Sequence, residues 1–548
     1  NYYNKNNNNY NNKYSNKIKK ENVDKYSNYN PNSKNVSNYN YQKNNKRGNL
    51  NQEELPIYNV KDSIIQTIKE NRVTIISGNT GCGKSTQVPQ YIYGMNCNNR
   101  ILMTQPRRIA AISIAKRLAQ EMNEKLGGKI GYHVSMNPRI GSDTQIFVKT
   151  TGIFMEELIH ANLERKKEKK EGQKYDLSHD SLDYTHIIID EVHERDIYVD
   201  LVLALIKNYF EKHPNSKIKI ILMSATIKEE IFINYLADCN KKEVPKVKIY
   251  ENRHDVKEYG LMEIISNLKY DKYISDDLKK EIESVSQLCI SQVKPVPVFM
   301  DELFPIVAGI IEKIENENPN SFSGVLIFVP GLGEIQELQS YLSRYFLNKT
   351  TLEFLILHSQ ISDDEQDLVF KKMHGKRKII LATNIAESSI TISNIDFVID
   401  FCLVKQTRFD EYQNTSILEL KWCSKASVQQ RMGRTGRTNK GYYFRLITKK
   451  LYDRLEDHPT PEILRTPLET PILKLKIYEP ENEPQDILLK TIEPPEEEKI
   501  INTLFRLEKM GALIQGKYEL NRNFVDKKII DDDMNVEVTK KNYNNKYI

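Results

Sequence analysis

The sequence predicts an α/β protein built from two tandem, doubly wound parallel sheets. Apolar strand-like runs alternate with helix-like segments from about residue 54 to residue 245, and a second such series begins near residue 300. A glycine-rich string ending in lysine and an acidic string each follow a strand of the first series. Open parallel sheets present their ligand sites at the carboxyl ends of the strands, so both strings occupy positions typical of a functional site.

The expected strands are short runs rich in Ile, Val and Leu. In the first series they span residues 73–77, 101–104, 146–149, 187–190 and 218–224, and in the second series 325–329, 353–357, 378–382 and 397–400. A helix is expected from about Thr86 to Tyr93. Strands that alternate with helices in this way favour parallel βαβ units.

Residues 78–86 read Gly-Asn-Thr-Gly-Cys-Gly-Lys-Ser-Thr and match the phosphate-binding pattern GxxxxGK[ST]. The glycines let backbone amides approach phosphate oxygens, and the following helix directs its positive end at the anion. Lys84 should reach the β- and γ-phosphates, and the Ser85 hydroxyl should bind Mg²⁺. The residues expected to hold the nucleotide, ATP or GTP, are Gly78, Thr80, Gly81, Gly83, Lys84, Ser85 and Thr86.

Residues 190–195 read Asp-Glu-Val-His-Glu-Arg at the end of another buried strand. Asp190 should bind Mg²⁺ together with Ser85. Glu191 should contact the same ion and act as the general base for the attacking water, and we place His193 of this string among the catalytic residues. Alone, the string could be a salt-bridged acidic turn. Its position after a P-loop at a domain-sized interval favours a nucleotide hydrolase.

Composition limits the class of protein. The 548 residues are 39% hydrophobic and 28% charged, which suits globular domains, and no apolar run is long enough to span a bilayer. Six cysteines without a CxxC pair argue against structural zinc and for a reducing compartment, so we expect a cytoplasmic protein with the nucleus left open. The chain begins with Asn1, so we expect a fragment.

The net charge of +6 belongs to the amino-terminal tail, because residues 1–50 carry ten Lys and Arg against two Asp and Glu, which leaves −2 for the remainder. That tail is rich in Asn, Tyr and Lys and has no apolar periodicity, which predicts disorder. It is either a low-complexity extension or a segment that binds RNA through tyrosine stacking and lysine charge.

Further strings follow in a fixed order: 104–108 (Thr-Gln-Pro-Arg-Arg), 150–152 (Thr-Thr-Gly), 224–226 (Ser-Ala-Thr), 328–331 (Phe-Val-Pro-Gly), 383–389 (Thr-Asn-Ile-Ala-Glu-Ser-Ser) and 429–437 (Gln-Gln-Arg-Met-Gly-Arg-Thr-Gly-Arg). The ordered set strongly resembles the superfamily 2 helicases of the DEAH/RHA class. The resemblance covers about residues 55 to 515 and implies two RecA-like domains, ATP with Mg²⁺ as cofactors, and single-stranded RNA as partner.

The resemblance also implies roles for individual residues. Arg434 and Arg437 would act as arginine fingers from the second domain, and Gln430 would order the attacking water or the γ-phosphate. Ser224 and Thr226 would couple the phosphate state to domain motion. Adenine would lie between Arg117 and Phe370. The expected RNA-backbone contacts are Arg107, Arg108, Thr150, Thr151, Thr383 and Asn384. Residues 404–422 resemble the β-hairpin that helps to separate strands in this class, although a plain edge hairpin would have the same pattern.

Residues beyond 460 resemble the winged-helix entry of DEAH helicases and the start of the helical bundle that follows it. A helix over 496–510 would bury Ile500, Ile501, Leu504 and Leu507, with Gly511 as its cap. The expected organisation is a disordered tail (1–52), an ATP-binding RecA-like domain (53–245), a linker or insertion (246–300), a second RecA-like domain (301–460), a partial winged helix (461–490), the truncated start of a helical bundle (491–525) and a disordered end (526–548).

Within the class, the valine of Asp-Glu-Val-His and the strings 328–335, 384–389, 398–403 and 473–476 look most like the tudor-domain-containing helicases of the spindle-E group. That resemblance implies RNA or RNA–protein remodelling in piRNA-guided transposon silencing, with partners among piRNA-pathway proteins and a place in perinuclear granules. The sequence leaves open an ATP-gated RNA clamp, a generic DEAH helicase of RNA processing, and unwinding of DNA.

Overall fold

The computed structural model describes thirteen segments, and the structural statements below apply to them. The segments are residues 55–170, 183–225, 229–240, 243–250, 254–268, 301–319, 321–371, 373–388, 392–410, 413–437, 439–480, 483–514 and 519–520. The predicted tails 1–52 and 526–548 lie outside the described residues, as do Thr226 and Ser389. Residues 269–300, which make up most of the expected insertion, also lie outside them. None of the helices described is long and apolar enough to cross a membrane.

The first domain contains an eight-stranded sheet in the order β4-β3-β5-β2-β6-β7-β1-β8. All neighbouring strands are parallel except β3 and β4. The strands are β1 (Val73–Gly78), β2 (Ile101–Gln105), β3 (Ile130–Val134), β4 (Asn137–Arg139), β5 (Ile146–Thr150), β6 (His186–Ile189), β7 (Lys219–Ser224) and β8 (Lys246–Ile249). The helices are α1 (Lys61–Glu70), α2 (Lys84–Met95), α3 (Arg108–Glu121), α4 (Thr151–Lys170), α5 (Ile197–Lys212) and α6 (Glu229–Tyr235).

Alternate residues of the central strands enter two separate hydrophobic cores. Ile75 belongs to one core, while its neighbour Ile76 belongs to the other. Successive side chains of a strand point to opposite faces of a sheet, so these two cores are its two covered faces. A parallel sheet covered on both faces is the predicted doubly wound architecture.

The second domain repeats this arrangement with a six-stranded, all-parallel sheet in the order β11-β12-β10-β13-β16-β9. Its strands are β9 (Val256–Gly260), β10 (Gly324–Phe328), β11 (Leu352–Leu357), β12 (Arg377–Ala382), β13 (Ile395–Asp400) and β16 (Gly441–Arg445). Its helices are α7 (Leu261–Leu268), α8 (Phe304–Glu317), α9 (Leu332–Tyr345), α10 (Asp363–Phe370), α11 (Lys425–Met432) and α12 (Lys449–Asp453). Both predicted sheets are therefore present, and every predicted strand is found within two residues of its expected ends.

The structure corrects the expected linker 246–300. Its first residues form β8, which pairs with β1 in the first sheet, whereas residues 256–260 form β9, which pairs with β16 in the second. Both strands are edges with several exposed side chains. Because an edge strand needs fewer apolar residues than a central one, the apolar-run criterion missed both.

Two antiparallel strands, β14 (Leu403–Asp410) and β15 (Thr415–Trp422), form the hairpin expected from residues 404–422. We call this element the hairpin. It forms a separate two-stranded sheet and does not extend the six-stranded one. Its register pairs Leu403 with Trp422 at the base and Asp410 with Thr415 near the tip.

The carboxy-terminal unit contains four helices and a short strand pair: α13 (Glu462–Arg465), α14 (Glu469–Tyr478), α15 (Pro484–Leu488), α16 (Glu497–Lys509), β17 (Leu513–Ile514) and β18 (Glu519–Leu520). Ile472, Leu475 and Leu504 join one hydrophobic core with α4 and α5 of the first domain. The unit therefore packs on the first domain.

The structure also modifies the predicted boundary at residue 490. Helix α16 packs on α14 and leads into the β17–β18 pair, so it continues the same unit and does not begin a separate bundle. Ile500, Leu504 and Leu507 are buried, but Ile501 is 46% exposed, contrary to prediction. Gly511 adopts φ 77°, the left-handed conformation expected of a helix cap.

Candidate nucleotide and RNA site

The P-loop joins β1 to α2 through two glycines in the left-handed region, Gly81 (φ 94°) and Gly83 (φ 100°). A Cβ on Gly83 would lie 2.9 Å from Ile57 Cγ2, so close packing as well as conformation requires glycine there. Lys84 begins α2, and its ammonium donates to the carbonyl oxygens of Gly78 and, at 3.0 Å, Asn79. The loop thus holds its lysine in the concavity where phosphate is expected.

Asp190 follows β6 and is buried between two hydrogen-bond donors. The Ser85 hydroxyl donates to Asp190 Oδ2 at 2.6 Å, and Gln105 Nε2 donates to the same oxygen at 2.7 Å. Burial, with the nearby charge of Glu191, raises the pKa of Asp190 to about 7. Hydroxyl and carboxylate oxygens so close together suit Mg²⁺, so Ser85 and Asp190 fit the predicted metal site, and a metal contact by Glu191 stays a prediction.

Glu191 adopts φ 53°, an uncommon conformation for a non-glycine residue, and is 4% exposed. His193 Nε2 lies 3.5 Å from Glu191 Oε2. The other imidazole nitrogen, Nδ1, accepts from the backbone N–H of Ala225 at 3.3 Å, so the ring carries its proton on the side of Glu191. His193 therefore lies between the predicted base and the Ser224–Ala225 turn after β7.

The arginines of residues 429–437 point to different places. Arg437 crosses to the first domain, because a Cβ on Gly81 would lie 3.3 Å from Arg437 Cζ. Arg434 donates to the backbone oxygen of Glu387 within its own domain, through Nε at 3.1 Å. Arg431 is fully buried and pairs with Glu387 at 3.0 Å and Asp400 at 2.8 Å. In this arrangement Arg437 reaches the P-loop at Gly81.

A cavity of about 840 Å³ separates the acidic loop from the hairpin, and its lining includes His193, Glu194 and Gln430. Gln430 lies on α11, the helix that precedes the two predicted arginine fingers. The structure therefore brings Gln430, which the sequence assigned to catalysis, to the same space as His193 from the other domain.

A second cavity of about 920 Å³ lies between the two domains, and Arg107, Arg108, Thr383 and Asn384 line it. These are four of the six predicted RNA contacts. Arg107 also connects the domains directly, since its Nη1 donates to the backbone oxygen of Asn384 at 2.6 Å. Its Nη2 lies 3.2 Å from Glu194, a carboxylate that also accepts from the Ser388 hydroxyl.

The other two predicted RNA contacts lie elsewhere. Thr151 is 2% exposed and its hydroxyl donates to the backbone oxygen of Gln105 at 3.3 Å, so it is engaged inside the first domain. Thr150 is half-buried at the carboxyl end of β5. A role for the Thr151 side chain in RNA binding is therefore not supported by its position.

Among the described residues, the structure records no contact between Arg117 and Phe370, the two residues predicted to hold adenine. Arg117 is an exposed residue of α3 whose Nε donates to Glu121 Oε1 at 2.6 Å. Phe370 packs against the core of the second domain. Stacking of adenine between them stays a prediction.

Three residues of this site had no predicted role: Gln105, Glu194 and Glu387. Gln105 was detectable, because it ends β2, and β2 neighbours β6 in the sheet, so its side chain meets Asp190 at the common carboxyl edge. Glu194 and Glu387 carried no comparable signal, because their partners Arg107, Ser388 and Arg431 lie far from them in the sequence or in the other domain.

The chain was compared with known proteins. Residues 61–222 match the family model described as an AAA domain, and residues 308–439 match the model of the helicase conserved C-terminal domain. The Escherichia coli DEAH/RHA helicase HrpB has a similar fold, with a TM-score of 0.67 and 26% identity over 85% of this chain and 52% of HrpB. The chain is therefore similar in fold to a DEAH/RHA helicase.

Two curated relatives extend this comparison. The probable ATP-dependent RNA helicase spindle-E of Aedes aegypti is 36% identical over 490 residues, and the ATP-dependent RNA helicase TDRD9 of Homo sapiens is 35% identical over 491 residues. The alignments cover 86% and 85% of this chain but 33% of each relative. The chain thus spans about a third of the length of these relatives.

Proposed function

We propose that this chain is an RNA-stimulated ATPase of the DEAH/RHA helicase class that remodels RNA or RNA–protein complexes. The observation that carries the proposal is the Arg437 guanidinium beside Gly81, because residues of both domains would then form the nucleotide site. An arginine that arrives from a second body stabilises the transition state only when the cleft is closed. Hydrolysis can then depend on whatever closes the cleft, and RNA bound across both domains would do so.

The chain's own residues supply positioning and proton transfer. Bound ATP supplies the phosphoryl group, and Mg²⁺ neutralises its developing charge. Ser85 and Asp190 would hold the ion, while Gln105 orients the Asp190 carboxylate. Glu191, which lies beside His193, would accept the proton of the attacking water. Lys84 would exchange its bonds to loop carbonyls for bonds to phosphate.

The 920 Å³ cavity between the domains supports single-stranded RNA as the partner. Its predicted contacts come from both domains: two arginines from the first, and from the second Thr383 and Asn384, the residue that begins a short helical turn. Groups of these kinds bind phosphate and sugar without reading bases, so we expect little sequence preference.

The biological role is proposed from similarity. The spindle-E and TDRD9 relatives, together with the valine at position 192, support a role in piRNA-guided transposon silencing in cytoplasmic, perinuclear granules, with piRNA-pathway proteins as partners. RNA crosslinked to a Glu191→Gln protein in cells should then be enriched in transposon transcripts. Enrichment of ribosomal or splicing RNA would instead support a role in general RNA processing.

The deciding experiment is steady-state ATP hydrolysis with and without single-stranded RNA, for the natural chain and for Glu191→Gln. We expect RNA to stimulate hydrolysis, and the variant to lose about 10²-fold or more, the scale of a missing general base. Glu353→Gln is a matched control, because Glu353 is a surface carboxylate paired with Lys376. Tight binding of ATP and RNA without turnover in the natural chain would contradict the motor and favour a clamp.

A further inference from the structure

The short helix α13 contacts two functional elements that belong to different domains. On one side, the backbone N–H of Glu462 donates to the backbone oxygen of Arg195 at 3.1 Å, and Glu462 Oε2 accepts from the N–H of Ile197 at 3.1 Å. On the other side, Arg465 Nη1 donates to the backbone oxygen of Thr407 at 2.9 Å. One helical turn therefore joins the end of the Asp-Glu-Val-His-Glu-Arg loop to strand β14 of the hairpin.

The connection is stiff because the helix is anchored between its two contacts. Ile463, between Glu462 and Arg465, is completely buried in the core shared with the first domain. A displacement of the hairpin cannot be absorbed by free rotation of α13 without disturbing that close-packed core.

The loop end of the connection is itself under constraint. Arg195 adopts φ 50° and forms a buried bidentate pair with Asp200, with distances of 2.7 and 3.0 Å. Four residues earlier, Glu191 adopts φ 53°. Left-handed conformations of non-glycine residues persist only where surrounding contacts hold them, and Glu462 supplies such contacts next to Arg195.

We propose that Glu462 and Arg465 are positioning residues that transmit the position of the hairpin to the catalytic loop. This inference rests on the proposed RNA-stimulated ATPase. RNA that enters against the hairpin displaces β14, Arg465 carries the displacement to α13, and Glu462 carries it to the segment that ends the Glu191–His193 loop. Neither residue touches the reacting atoms, and both act through the backbone of other residues.

The test compares Arg465→Ala and Arg465→Lys with Lys490→Ala. Lys490 forms an exposed ion pair with Glu211, which also joins the carboxy-terminal unit to the first domain but does not involve the hairpin. Arg465→Ala should retain its RNA-free kcat and its KM for ATP and lose about tenfold of its RNA stimulation, the scale of one missing charge-assisted hydrogen bond. Arg465→Lys should recover part of the loss, and Lys490→Ala should match the natural chain.

A double variant tests whether the two residues act through one connection. Glu462→Ala and Arg465→Ala should each reduce the RNA stimulation. The double variant should lose little more stimulation than either single variant, because each substitution alone already interrupts the same connection. Fully additive effects would overturn the proposal.

Amide hydrogen exchange provides a readout that does not depend on activity. Arg465→Ala should accelerate exchange about tenfold both in 403–410 and in 191–197, although the replaced side chain contacts only the first of these segments. A merely local role for Arg465 would accelerate exchange in the hairpin alone, and that result would overturn the inference. A natural chain without RNA-stimulated hydrolysis would instead refute the proposed function, while the exchange experiment would still decide the inference.

Discussion

The two parallel sheets have similar topology but contribute to the nucleotide site in different ways. The first builds most of the site from its own strand ends: the P-loop after β1, Gln105 at the end of β2 and Asp190 after β6, joined by hydrogen bonds of 2.6 and 2.7 Å. The second places Arg437 across the cleft at Gly81. The first domain therefore arranges its own site residues, and we expect its activity to depend on the arginine that the second domain supplies.

Removing the contribution of the second domain should have the largest effect. Arg437→Ala should bind ATP normally but lose about 10³-fold or more in kcat, because a missing arginine finger removes transition-state charge stabilisation. Unfolding by urea should be close to that of the natural chain. A variant that hydrolyses ATP at the natural rate would show that the contact with Gly81 has no catalytic consequence.

Arg431 lies six residues before Arg437 but faces the interior of the second domain, so its replacement tests stability and not catalysis. Arg431→Met leaves the Glu387 and Asp400 carboxylates buried without their partner, so we expect a loss of about 3–5 kcal/mol in the free energy of unfolding. Urea denaturation of the two variants side by side measures this contrast. Arg344→Ala, on an exposed position of α9, is the control and should be nearly neutral.

The interface between the domains can be probed from the P-loop side. Gly81→Ala should cost about 1–2 kcal/mol for its left-handed backbone and also bring a methyl group to 3.3 Å from Arg437 Cζ. Gly127→Ala is matched, because Gly127 has φ 86° but open space around it, with its nearest neighbour at 3.9 Å. Both should lose similar stability, whereas the loss in kcat should be confined to Gly81→Ala. Equal catalytic losses would argue that only backbone strain matters.

The smallest effect concerns the self-contained first domain and its dependence on pH. Asp196 caps α5, where its side chain accepts from the N–H of Tyr198 and Val199, and burial raises its pKa to about 7. The folded state therefore retains a proton that the unfolded chain releases near pH 4, so this stabilising contribution declines as pH rises from about 4 to about 7. Asp196→Asn keeps the cap without titrating.

Urea unfolding of both proteins at pH 5 and pH 8 measures this difference. The variant should gain stability relative to the natural chain at pH 8 and show a clearly smaller gain at pH 5. A gain of the same size at both values would show that the Asp196 carboxyl does not titrate in this range.

The fold was predictable because its central strands are buried on both faces and carry apolar runs, such as residues 187–189 and 325–329. The edge strands β8 and β9 were not, because residues 246–249 alternate exposed and buried and residues 256–260 include a single buried residue. Each takes its place only by pairing with a strand that lies far away in the sequence, and no local pattern encodes the partner.

The sequence by itself determined the chemistry of the first domain. Lys84 and Ser85 follow one buried strand through the spacing of residues 78–86, and Asp190 follows another. These positions predict that all three residues lie at one edge of the first sheet. The tertiary structure decided which arginine reaches that edge. Arg431, Arg434 and Arg437 share one motif, but Arg431 lies on α11 and the other two on the turn that follows, so they point in different directions. Only the docking of two domains brings Arg437, rather than its neighbours, against Gly81, since that contact depends on surfaces more than three hundred residues apart.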